Sequence, residues 1–140
     1  MEMLIVIAII AILIAIAIPI FTTQLARANA ETDASNIRAG YASVQSAIML
    51  DHVTDATFTL AADGTVYSTD AKNGSAAVSA SDTTVFKGSG TAYETKGNSA
   101  DTGDSNFTIG GVAGVTWTAG QSVTYTVTGS AIASIQGVTS

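Results

Sequence analysis

The 140-residue chain has no cysteine, one proline, one histidine and only five lysines and arginines. Without cysteine, disulfides, thiolate metal sites and cysteine nucleophiles are excluded. His52 by itself gives no basis for a histidine-built catalytic or metal cluster. Five cations against 11 carboxylates leave a formal net charge of −6. That balance lacks the basic footprint of a phosphate-tracking protein, so direct nucleic-acid binding is not expected. No Ser-His-Asp arrangement stands out, and neither an enzymatic role nor a cofactor is expected. The length suits one domain with a modest core.

Hydrophobic residues are plentiful but unevenly placed. Residues 1–26 hold 21 of the 66, which leaves an ordinary soluble proportion in the remaining 114. Met3 to Phe21 is an unbroken apolar run of 19 residues. As a helix it spans about 28 Å, close to the hydrocarbon thickness of a bilayer. It is apolar on every side, so it belongs in lipid or among other helices. A cleaved signal peptide would have a basic leading region and a shorter apolar stretch. Here Glu2 is the only charge ahead of the run, and a retained helix is expected. Glu2 reads either as an interfacial carboxylate at a helix N-terminus or as a charge kept for a partner. Pro19 removes one backbone hydrogen bond, which kinks or loosens the helix around residues 15–19.

The helical pattern continues over residues 22–52, which are rich in alanine and free of proline. Ile37, Tyr41, Val44 and Ile48 step by four, three and four residues and share one face. That stripe predicts packing against a sheet. Arg27, Glu31, Asp33 and Arg38 are assigned to the opposite surface, as a solvated face or as contacts to neighbouring copies. Read through, residues 2–51 make one helix of about 75 Å, too long for a compact domain of this size. The expected organisation is a protruding apolar segment, 1–26, and a globular domain, 27–140.

From Val53 the composition changes. Serine, threonine and glycine supply 40 of the last 88 residues, and alternation replaces helical spacing. Val115–Val127 predicts a hairpin turned at Ala119-Gly120, and Phe58–Tyr67 a second turned at Asp63-Gly64. Thr83–Phe86 and Phe107–Ile109 are weaker strand candidates, and Ala131–Ile135 a final edge strand. Segments 68–82 and 88–106 read as loops. The fold class is therefore α+β: a long N-terminal helix whose second half packs on a C-terminal antiparallel sheet, with Trp117 and Tyr125 in the helix–sheet core.

The stretch from Glu2 through the apolar run to Pro19 resembles the N-terminus of type IV pilins, where a glutamate opens an apolar helix and a proline follows 17 residues later. Residues 31–44 are similar to pilins of Gram-positive bacteria in particular. The resemblance covers residues 1–50; beyond residue 53 it is architectural. It implies a pilin fold and a homopolymeric helical filament that serves adhesion, motility or DNA uptake. Leu4, Ile5, Ile7, Ile9, Ile12, Leu13, Ile16 and Phe21 would pack in the filament core. Glu2 would pair with the N-terminal amine of a neighbouring subunit, and the helix would melt beside Pro19. The unassembled subunit would sit in the cytoplasmic membrane, with prepilin peptidase and the assembly machinery as partners, and the assembled pilus outside the cell. The alternative is a pseudopilin of a type II secretion or competence system, which shares the same N-terminal pattern. In the family four residues precede the glutamate, whereas here Met1 alone does, and residues 3–18 lack the glycine that often precedes the proline.

Three lesser signals remain. Asn98, Asp101, Asp104 and Asn106 form an oxygen-rich loop, a weak calcium candidate centred on Asp101 and Asp104 without EF-hand spacing. Asn73-Gly-Ser and Asn106-Phe-Thr fit the glycosylation sequon, although Asn73-Gly74 reads equally well as a tight turn. His52 falls where an imidazole could cap the end of the helix.

Overall fold

Alanine, isoleucine and leucine dominate the first 50 residues, and the structure gathers nearly all of them into one helix. In the computed structural model, which describes residues 1–139, α1 runs unbroken from Glu2 to Leu50. Its 49 residues span about 74 Å. The helix stops at Asp51, whose N–H bonds the Ala47 carbonyl, and His52 takes a left-handed backbone with φ 55°. The Asp51 carboxylate accepts hydrogen bonds from the Thr84 amide and hydroxyl and from the Val85 amide, which ties a distant loop to the helix end.

The sheet follows. Strands β1 (Ala56–Leu60), β2 (Val66–Tyr67), β5 (Ser122–Thr128) and β6 (Ala131–Val138) are antiparallel in the order β2-β1-β5-β6. A separate two-stranded ribbon joins β3 (Lys72–Asn73) to β4 (Ala76–Ala77). The fold is thus α+β, with one long N-terminal helix and a C-terminal antiparallel sheet. Alternation decides which face is buried: Ala56, Phe58 and Leu60 on β1, with Val123, Tyr125 and Val127 on β5, point into the core. From the helix, Ala30, Asp33, Ala34, Ile37, Gly40, Val44 and Ala47 are buried. Of the predicted stripe, Ile37 and Val44 are fully covered, while Tyr41 and Ile48 lie half-buried at its margin.

The predicted β1–β2 hairpin forms as expected, with Gly64 at φ 83° and the Thr65 amide held by the Asp63 side chain. The predicted hairpin at Ala119-Gly120 does not. There the Gln121 amide closes a turn on the Thr118 carbonyl with Gly120 at φ 81°. That is the sense of an unprimed turn, which splays its flanking segments rather than pairing them. Residues 115–118 leave the sheet except for one bridge, Thr116 to Gln136. The true partner of β5 is β6, joined through Gly129 and Ser130 at φ 61° and 63°, a primed turn that matches strand twist. The expected final edge strand is therefore present and extends to Val138.

Thr83–Phe86 and Phe107–Ile109 form no strands; Phe86 and Phe107 instead bring single rings to the core. Phe86 meets Phe58 edge-on at 5.0 Å, and Phe107 meets Trp117 at 5.3 Å. Segments 68–82 and 88–106 hold the β3–β4 ribbon and two short 3₁₀ turns besides loop.

Candidate functional site: the exposed apolar helix

From Met3 to Phe21 each large apolar side chain of α1 is between 48% and 80% exposed. None touches the sheet, because the first covered helix residue is Ala30. Among the described residues this is the one helix long and apolar enough to cross a membrane. Leu4, Ile5, Ile7, Ile9, Ile12, Leu13, Ile16 and Phe21 all lie on this open surface. An apolar area of this size on a monomer marks a membrane or protein contact. Glu2 stands in the first turn of the helix, the end whose free N–H groups favour a carboxylate.

The helix passes through Pro19 without a break. Proline brings no N–H, so the carbonyl one turn earlier, on Ala15, lacks its helical donor. On the other side the hydroxyls of Thr22 and Thr23 both donate to the Pro19 carbonyl at 3.0 Å. The apolar run therefore ends where one helical bond is missing and, a turn later, two side chains share the Pro19 carbonyl.

Of the four charges assigned to the outward face, Asp33 is not there. It is fully buried, accepting bonds from the Tyr93 hydroxyl at 2.6 Å and from the amides of Lys96 and Gly97 at 2.8 and 2.7 Å. The reason is helical phase: Asp33 lies one turn before Ile37, on the same stripe, and four-residue spacing outranks polarity when donors are supplied. Gly97 approaches the Ala30 backbone too closely for any side chain, so the loop can reach the carboxylate. Burial, then the bond to Asp33, push the Tyr93 phenol above its ordinary range. Arg27 and Glu31 pair with each other at 3.0 Å on the exposed face. Arg38 lays its guanidinium over the Phe107 ring, 4.9 Å from the centroid.

Asp101 accepts a bond from the Asn98 side-chain Nδ2 at 3.0 Å, and Asp104 one from the Asn106 backbone N–H at 3.0 Å. Both carboxylates are thus engaged inside their own turns, and no cluster of three His, Cys, Asp or Glu side chains occurs among the described residues. Two features went unseen in the sequence: the seat of Tyr125 on Gly40, and the capture of loop 93–97 by Asp33. The spacing of Asp33 from Ile37 could have disclosed the second.

No family model, curated protein or solved structure matches this chain.

Proposed function

We propose that the chain is a structural subunit of a type IV pilus, which polymerises through the apolar half of α1. One observation carries the reading: a single helix is buried under a sheet along its second half and wholly uncovered along its apolar first half. Before assembly, lipid covers the rod; afterwards, the rods of other copies cover it. Because lipid is as apolar as isoleucine, transfer between the two is driven by packing and polar pairing rather than by the hydrophobic effect. That places the weight on Glu2. A lone carboxylate and a lone ammonium are both costly among packed rods, and together they offset much of each other's desolvation. The pairing of Glu2 with a neighbour's terminal amine would then set the axial step between subunits. The sheet and its loops form the outer surface of the extracellular filament.

The test is electron microscopy of sheared cell-surface material, combined with a Glu2→Ala variant. Long filaments with this chain as the repeating unit are expected, whereas a short, wall-spanning assembly would indicate the pseudopilin role. Glu2→Ala should insert in the membrane and fold, yet filament yield should fall steeply. In mixed expression it should be under-represented in filaments relative to the membrane pool. Equal incorporation would sink the charge-pair mechanism.

A further inference from the structure

Asn73-Gly74 is the one Asn-Gly pair in the chain, and it sits at the tip of the β3–β4 ribbon. Both residues are exposed. Gly74 has φ 62° and opens the two-residue turn Gly74-Ser75, a position that needs a residue without Cβ. The same lack of Cβ leaves the Gly74 nitrogen open to the side chain before it. In a flexible Asn-Gly segment that nitrogen, once deprotonated, attacks Asn73 Cγ and forms a five-membered succinimide. The Cγ–Nδ2 bond breaks, ammonia leaves with the proton returned through solvent, and water opens the ring to aspartate or isoaspartate. Water enters, ammonia departs, and no oxidant or reductant is involved.

The fold opposes each step. The Gly74 N–H donates to the Thr54 hydroxyl oxygen at 2.6 Å. That hydroxyl donates its own proton to the Lys72 carbonyl at 3.1 Å, so toward Gly74 it acts only as an acceptor. Thr54 is itself fixed, since its amide bonds the Lys72 carbonyl at 2.7 Å and its carbonyl receives the Ser130 amide at 2.9 Å. Asn73 is held in register with Ala76, and rotation of its backbone toward the attacking geometry would break that pair. We propose that Asn73 is a succinimide-forming modification site and that the Thr54 hydroxyl keeps it closed in the folded protein. Conversion would add a negative charge beside Lys72, and an isoaspartyl link would lengthen β3 by one backbone atom and undo the ribbon.

The test uses the full chain in detergent micelles at mildly alkaline pH, with peptide mass spectrometry following amide-to-acid conversion at Asn73. The chain unfolded in urea should convert at least about tenfold faster than the folded chain, as expected for a reaction gated by local opening. Thr54→Val should convert about fivefold faster than the parent, the scale set by one lost hydrogen bond. Thr54→Ser, which keeps the hydroxyl, should match the parent. If the valine variant loses its native circular dichroism, Thr54→Ala provides the same comparison. Equal rates in folded and unfolded parent would overturn the proposal. So would a folded Thr54→Val or Thr54→Ala no faster than the parent, or a Thr54→Ser as fast as either.

Discussion

The Tyr125 hydroxyl donates to the carbonyl oxygen of Ile37 at 2.7 Å, joining the middle of β5 to the second half of α1. Both residues are fully buried, and burial pushes the phenol above its ordinary range. The contact requires Gly40, because a Cβ there would run into the Tyr125 hydroxyl and ring. Helical propensity favours alanine over glycine by about 1 kcal/mol, yet Gly40→Ala should destabilise by about 1–3 kcal/mol through overpacking. Tyr125→Phe should cost about 1 kcal/mol for the lost bond. Since phenylalanine also removes the atom nearest the new methyl, the double variant should cost less than the sum. Urea unfolding of the four proteins in detergent measures the cycle; simple additivity would show that the two residues are independent.

Asp33 provides a second test. An exposed helical aspartate replaced by alanine changes stability by no more than about 0.5 kcal/mol. Here Asp33→Ala would leave the Lys96 and Gly97 amides without their acceptor, and a loss of about 3 kcal/mol is expected. Asp33→Asn keeps one acceptor oxygen and should lose less. Faster hydrogen exchange at the amides of Lys96 and Gly97 would place the damage in that loop.

Acid should weaken the domain through the carboxylates of Asp63 and Asp70. Lys87, with help from Thr65, holds the Asp63 carboxyl far below the usual range. At Asp70, partial burial raises the value, but bonds from the Thr57 amide and the Ser68 hydroxyl outweigh it and leave the carboxyl lowered. Both groups therefore contribute stability that is present above the unfolded value near 3.8 and lost as pH falls below it. The melting midpoint should be flat between neutrality and about pH 5, then decline. Asp70→Asn should flatten the acid limb at any ionic strength. Asp63→Asn should do so chiefly at low salt, because the Asp63–Lys87 pair is half exposed and screened. An unchanged acid limb in both variants would contradict the assignment.

Removal of residues 1–26 should yield a soluble monomer that needs no detergent, since the sheet already covers Ile37 and Val44. Light scattering checks this, and aggregation of the fragment would show that the cover fails in solution. Sheared filaments of the full chain should resist moderate salt, as helix packing would demand. Dissolution by salt alone would point to screened surface charge instead.

Assembly should change the helix beside Pro19. In the single chain α1 is continuous there. If the segment between roughly residues 11 and 19 opens in a filament, beside the helical bond that Pro19 already lacks, the rod lengthens, because extended backbone rises more per residue than helix does. A filament map with unbroken helix from Glu2 to Leu50 would rule this out.

How much of this was open to reading depends on the range of the forces involved. The apolar run, the length of α1 and the Asp63-Gly64 hairpin follow from local rules, since each rests on residues a few positions apart. The α+β class and the burial of Ile37, Val44, Trp117 and Tyr125 follow from periodicity, which reports a face without naming its partner. What tertiary structure alone decided lies where two distant segments compete. Val115–Thr118 and Ala131–Val138 are both apolar-alternating neighbours for β5, and the choice fell to the twist of two turns, Gly129-Ser130 over Ala119-Gly120. Asp33 is a surface charge by type and a core residue by phase, and only Tyr93, Lys96 and Gly97, 60 or more positions away, supply the donors that make its burial tolerable. Gly40 reads as a flaw in a helix until Tyr125 is placed upon it. A local pattern can propose a buried face, but the cost of burying a polar group or of removing a side chain is settled by atoms elsewhere in the chain.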